Sequence, residues 1–155
     1  MLPYGGGMEI EMVNSDTIEL LRECNAGIKM GVATIDNVFD KTENEELKRI
    51  LNESKQKHEK LGNETHELLN SYEDSGKEPN PMAKGMSWIK TNVMLSMNRG
   101  DKTVSDLITD GCNMGVKSLN KYLNKYEAAE EKAKNIAKRL ITLEEELAEE
   151  ISCFL

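Results

Sequence analysis

The sequence predicts an all-α fold: an up-down helical bundle built from two related helical hairpins, with a short additional helix between them. Apolar residues recur at intervals of three and four through most of the chain, which is the period of an amphipathic helix. The composition agrees, since aromatic residues make up 5% of the chain and charged residues 31%. At 155 residues the chain has the length of one domain. We expect residues 1–13 to form a flexible N-terminal segment and residues 14–155 to form a single bundle domain.

The first hairpin is predicted from two apolar stripes. The first stripe consists of Leu21, Cys24, Ile28, Gly31, Ile35 and Val38. A capping box at Thr42 and Glu45 predicts the start of the second helix. The second stripe has heptad spacing and includes a histidine; its members are Leu47, Leu51, Ser54, His58, Leu61, Thr65, Leu68 and Tyr72.

A short third helix is predicted after Asn80 and Pro81, because Asn can cap a helix and Pro suits its first turn. Its sequence, MAKGMSWIKTNVMLSM, is apolar on more than one face, which is typical of a helix covered on several sides. Gly100 ends it, and a fourth helix begins near Thr103. One unbroken helix from there to the end would be roughly 75 Å long, about twice what the first two helices could flank. We therefore predict a break at residues 124–128 and a fifth helix after it.

A four-residue motif occurs twice, as CNAG at Cys24–Gly27 and as CNMG at Cys112–Gly115. Chance and a site that needs these residues twice are alternatives, but the longer match around each copy favours a duplicated hairpin. Glycines stand four apart in both copies, at Gly27 and Gly31 and at Gly111 and Gly115. Each glycine inside a helix costs up to ~1 kcal/mol relative to alanine. The spacing therefore predicts that the first and fourth helices cross closely at these glycines.

The formal net charge of −8 argues against a protein that binds nucleic acid or anionic membranes, because both partners require a basic surface. No stretch approaches the roughly 20 apolar residues of a membrane-spanning helix. The N-terminus has no basic region of a secretion signal, and three cysteines fit free thiols, so we expect a cytoplasmic protein. A thiol-based sensor that uses Cys24 and Cys112 is one functional alternative.

Bundles of this kind can hold two metal ions between a Glu from each of two helices and a Glu-x-x-His motif from each of the other two. Three residues before His58 stands Lys55, and three before His66 stands Asn63, so this motif is absent. We therefore expect no di-iron centre and no cofactor. A divergent divalent-metal site remains an alternative; its candidate ligands are His58, Glu23 and Glu53.

Four segments resemble the ferritin-like four-helix-bundle family of unknown function known as DUF2383. They are LLRECNAGIKMGVATIDNVFD, NEELKRILNESKQKHEKLGNETHELL, GMSWIKTNVML and DGCNMGVKSLNKYL. The resemblance covers about Thr17 to Ile151, and it implies a ferritin-like bundle. Members of the family usually carry a Glu after the glycine of the fourth segment, where this chain has Cys112 after Gly111. That difference removes a possible metal ligand, so the resemblance implies a bundle without the di-iron centre.

The expected function is that of a non-enzymatic structural, interaction or stress-related protein. We expect it to form a homo-oligomer, with the methionine-rich third helix as the contact surface, because methionine packs adaptably. No nucleic-acid partner and no membrane span are expected.

Overall fold

The computed structural model describes residues 3–72 and 100–155. Within these ranges the protein contains four α-helices and no strand, in agreement with the predicted all-α bundle. The helices are α1 (Pro3–Phe39), α2 (Glu45–Ser71), α3 (Asp101–Lys125) and α4 (Glu131–Glu150), and a 3-10 turn (Ser152–Phe154) follows α4. The predicted short helix in the segment after Pro81, with its role in self-association, lies outside the described residues. None of the described helices combines the length and the apolar character that crossing a bilayer requires.

The helix boundaries agree in part with the sequence. The predicted break between the last two helices is confirmed, since α3 ends at Lys125 and α4 begins at Glu131. Helix α1 begins at Pro3 and therefore includes most of the N-terminal segment. Because helix bounds do not measure motion, the expected flexibility of that segment stays a prediction.

The predicted capping box at the start of α2 is wrong. Asn44 caps the helix, and its side-chain oxygen accepts a hydrogen bond from the backbone N–H of Leu47 at 3.1 Å. The hydroxyl of Thr42 instead donates to the carbonyl of Val38 at 3.0 Å and so closes the last turn of α1. Asparagine is as good an N-cap as threonine or better, so the residue nearest the helix takes the role.

One end of the bundle, the Thr17 end, is held by hydrogen bonds between distant parts of the chain. Asp16 accepts from the backbone N–H of Ala128 at 3.0 Å, and the Thr17 hydroxyl accepts from that of Glu130 at 2.9 Å. The Tyr72 hydroxyl donates to the carboxylate of Glu130 at 2.5 Å. The α3–α4 turn therefore lies beside the last turn of α2 and beside Thr17 of α1.

At the opposite end, the side chain of Asp101 accepts hydrogen bonds from the backbone N–H groups of Glu43, at 2.8 Å, and Asn44, at 3.1 Å. The start of α3 thus meets the α1–α2 turn. Before it, Gly100 has φ +137°, a conformation that glycine adopts readily. It follows that α1 and α4 run in one direction while α2 and α3 run in the other.

Helices α1 and α4 each pack against the other three described helices. The buried apolar residues form two separate clusters, one towards the Thr17 end that includes Leu21, Leu61 and Leu140, and one towards the other end that includes Leu51 and Leu147. Along α2 and α4, the residues between the two clusters include His58 and Glu144, which are both buried. A polar layer therefore divides the apolar core of the bundle.

Candidate functional site

A cleft of about 270 Å³ lies between α1 and α3, and we call it the α1–α3 cleft. Both glycine pairs of the repeated motif line it. Its walls are otherwise mainly apolar and include Ala26, Met30, Ile108, Met114, Leu119 and Leu140. The side chain of Met114 is 40% exposed, so the cleft reaches the surface of the described part of the bundle.

The side chains nearest to Gly27, Gly31 and Gly115 do not belong to the facing helix, so the predicted close crossing of α1 and α3 is not seen at these three glycines. A Cβ atom built at Gly27 would lie 3.6 Å from Leu140, and one at Gly115 would lie 3.6 Å from Glu144. At Gly31 it would lie 3.1 Å from the ring of His58. The nearest side chains thus belong to α2 and α4. The glycines leave the cleft open and make room for the His58–Glu144 layer behind it.

His58 of α2 and Glu144 of α4 form a buried pair. The Nε2 atom of His58 lies 2.8 Å from Oε1 of Glu144, and its Nδ1 atom lies 2.7 Å from the backbone carbonyl oxygen of Ser54. Because a carbonyl oxygen can only accept, Nδ1 carries a proton. A proton on Nε2 donates to Oε1 of Glu144 and makes the histidine a cation, so its pair with the carboxylate is neutral overall.

Burial is the largest influence on the pKa of His58 and would by itself lower it. The hydrogen bond and the negative charge of Glu144 act in the opposite direction and outweigh burial, so the pKa of His58 is raised above its ordinary value of 6.5. The histidine is therefore held in its protonated form by its partner. It is not a free base.

Glu23 of α1 is a second buried carboxyl group in the cleft and is 7% exposed. Tyr122 forms a hydrogen bond with it, but its Oε2 atom has no hydrogen-bond partner. Burial raises the pKa of Glu23, which the Tyr122 hydrogen bond partly offsets. Burying a carboxyl oxygen without a hydrogen-bond partner costs free energy. A ligand that donates a hydrogen bond to this atom would remove that cost.

The two cysteines of the repeated motif are buried free thiols in different parts of the core. Burial, with the charge of Glu23, raises the pKa of Cys24 to about 12. Burial, the charge of Glu144 and a hydrogen bond to it raise the pKa of Cys112. Because the thiolate is the reactive form, these raised values weigh against the thiol-sensor alternative.

The candidate metal ligands separate in the structure. His58 and Glu23 line the same cleft, whereas Glu53 is exposed and accepts a hydrogen bond from Arg49 at 2.7 Å. Among the described residues, no three His, Cys, Asp or Glu side chains come together in a way that could hold a metal ion. The described residues therefore do not fit a ferritin-type di-iron centre. A divergent metal site stays a prediction.

Glu144 was not predicted as a site residue, because glutamates at the acidic end of α4 resemble the solvated face of a helix. Glu144 is instead 8% exposed. The signal was present: Glu144 lies four residues after Leu140 and three before Leu147, so it shares the apolar stripe of α4. A carboxylate on such a stripe predicts a buried partner, although it does not identify His58.

The two glycines of α1 should respond differently to alanine. At Gly27 the new methyl group makes an ordinary contact with Leu140, so better helix propensity should raise the free energy of unfolding by about 0.5–1 kcal/mol. At Gly31 it crowds the His58 ring, which two hydrogen bonds hold in place, and overpacking typically costs about 1–3 kcal/mol. Urea denaturation of Gly27→Ala and Gly31→Ala would measure the difference. Equal stabilisation by both would contradict a fixed His58 ring.

No protein-family model, no curated protein and no solved structure matches this chain.

Proposed function

We propose that this protein is a non-enzymatic binding protein whose α1–α3 cleft takes a small, mainly apolar molecule. The observation that carries the proposal is the cleft itself, about 270 Å³ in volume and walled mostly by glycine and apolar side chains. Small-molecule sites are concave and mostly apolar, with a few polar groups that fix orientation. The cleft is near the lower size limit of such sites, which favours a small ligand.

The polar groups of the cleft support binding over catalysis. Both ring nitrogens of His58 are engaged, by Ser54 and by Glu144, so the histidine is not free to accept a proton from a substrate. The raised pKa values of Cys24 and Cys112 leave little thiolate at neutral pH. The chain thus offers no activated nucleophile among these groups.

We also propose a ferritin-like bundle, as the family resemblance implies. Its support is the direction of the helices: α2 and α3 run in parallel, which requires one long connection, and ferritin-like folds are four-helix bundles with one such connection. A cytoplasmic location, a stress-related role and a homo-oligomer stay predictions. The metal-binding alternative also stays one, and elemental analysis of the untagged protein would check it.

Binding of a neutral probe tests the cleft. We expect cyclohexylmethanol to shift the backbone amide resonances of Gly27, Gly31, Gly111 and Gly115 in a ¹H–¹⁵N NMR titration, because these four glycines line the cleft. Gly62 serves as an internal control. It packs against Ile28 and does not line the cleft, so its resonance should stay in place.

Two matched variants of α3 sharpen this test. Ser118→Leu places a larger apolar side chain in the cleft and should abolish the shifts. Asn113→Leu makes a comparable change at an exposed position outside the cleft and should leave them intact. Absence of shifts in the wild-type protein, or binding that survives Ser118→Leu unchanged, would contradict the proposed function.

A further inference from the structure

Two carboxyl groups line the α1–α3 cleft: that of Glu144 is paired with His58, whereas one oxygen of Glu23 has no hydrogen-bond partner. The His58–Glu144 pair is neutral overall because the positive charge of the protonated histidine cancels the negative charge of the carboxylate. Cys112 is a thiol with a raised pKa and adds no charge. Glu23 is the remaining acidic group of the cleft, and its Oε2 atom has no hydrogen-bond partner.

The charged and titratable neighbours of Glu23 do not supply the missing partner. Tyr122 forms a hydrogen bond with the carboxyl group, but Oε2 remains without one. Glu19 repels the charge of Glu23, and Lys125 attracts it only at a distance. The ammonium group of Lys125 lies over the ring of Tyr126, 5.3 Å from its centroid, on the exposed side of α3.

A cationic nitrogen is the group that best completes this arrangement. Burying a carboxylate is costly unless it is both paired and hydrogen-bonded, and an ammonium group supplies a positive charge together with N–H donors. The net charge of −8 on the chain attracts cations and repels anions. Next to Glu23, the cleft offers Gly27 and Ala26 and then apolar walls, which suit an uncharged hydrocarbon body.

We propose that the α1–α3 cleft binds a small molecule composed of a protonated amine and an apolar body, with the amine donating to Oε2 of Glu23 and the body lying along Gly27 and Gly31. This inference rests on the proposed function, because it specifies the chemistry of the ligand of the same cleft. It adds that recognition depends on charge at one position, which a purely apolar pocket would not require.

The experiment compares cyclohexylmethylamine with cyclohexylmethanol, which has nearly the same shape and no charge at neutral pH. Dissociation constants come from NMR titrations that follow the glycine amides of the cleft. We expect the amine to bind wild-type protein about ten-fold more tightly than the alcohol, since a hydrogen bond to a charged group is worth about that factor. The titrations are made at low ionic strength, where charge attraction is least screened.

Two variants assign the preference to one carboxylate. Glu23→Gln keeps the shape of the side chain and should reduce the amine-to-alcohol preference to about one. Glu19→Gln removes the same charge one turn earlier on α1, outside the cleft, and should leave the preference in place. Thermal unfolding of both variants checks that each is folded.

The outcomes separate the two proposals. Equal binding of amine and alcohol by wild-type protein overturns the amine proposal and leaves the proposed function standing. An amine preference that survives Glu23→Gln also overturns it, because the charge then acts elsewhere. Failure of both probes to shift the glycine resonances removes the proposed function as well. The wild-type comparison requires no variant, so it decides the question even if Glu23→Gln unfolds.

Discussion

Replacing Glu144 with alanine should lower the free energy of unfolding by about 3 kcal/mol, because loss of one partner from a buried ion pair leaves the other without compensation. His58 is fully buried, and its Nε2 atom would face an empty space where Oε1 now lies at 2.8 Å. The control is Glu145→Ala, which removes the same type of side chain from an exposed position one residue later and should cost no more than about 0.5 kcal/mol. Chemical denaturation of the two variants measures the difference.

The same variant should also change the dependence of stability on pH. The raised pKa of His58 means that the folded state binds its proton more tightly than the unfolded state does. The resulting stabilisation is therefore fully present below the ordinary pKa of 6.5 and is lost as pH rises through the raised value. As pH rises above 6.5, wild-type protein should lose this contribution, and Glu144→Ala should not show that loss. If Glu144→Ala matches Glu145→Ala in both stability and pH dependence, the pair is not formed.

Leu140→Ala should be the second strongly destabilising change, with a loss of about 3 kcal/mol. Leu140 is 1% exposed, belongs to the apolar cluster of the Thr17 end and faces Gly27 of the cleft, which has no side chain to fill the space that Leu140 leaves. Lys138→Ala, an exposed change on the same helix, should stay within about 0.5 kcal/mol of wild type. Denaturant midpoints of the two variants give the comparison. A loss of less than about 1 kcal/mol for Leu140→Ala would mean that the site collapses or is already loosely packed.

The described helices could be predicted from the sequence because they depend on the local spacing of apolar residues. The stripe from Leu47 to Thr65 on α2 and the break after Lys125 follow from periodicity and length, and the structure agrees with both. At the end of the stripe, Leu69 is buried, whereas the predicted Leu68 and Tyr72 are only partly buried. His58 was placed on the apolar seam correctly, since its position relative to Leu51 and Leu61 is a property of one helix.

The contacts between residues far apart in the sequence could not be predicted in the same way. Glu144 is 86 residues from His58, and no spacing rule links the two. The repeated glycines were predicted to have a structural role. The sequence alone could not distinguish a close helix crossing from an open cleft with side chains of α2 and α4 behind it. Asn44 was not predicted as the N-cap of α2 because Thr42 also fits a capping pattern. Only the geometry of the turn shows which of the two residues caps the helix.

The polar layer between the two apolar clusters has a consequence for the alignment of the two hairpins. Apolar seams of helices tolerate sliding, because a leucine that moves by one turn, about 5.4 Å, meets another leucine. The same slide would separate His58 from Glu144 and leave both buried without partners, at a cost of several kcal/mol. The α1–α2 hairpin is thereby fixed in register against the α3–α4 hairpin. In a variant with both His58→Leu and Glu144→Met, we expect stability to be largely retained while this selection of a single register is lost.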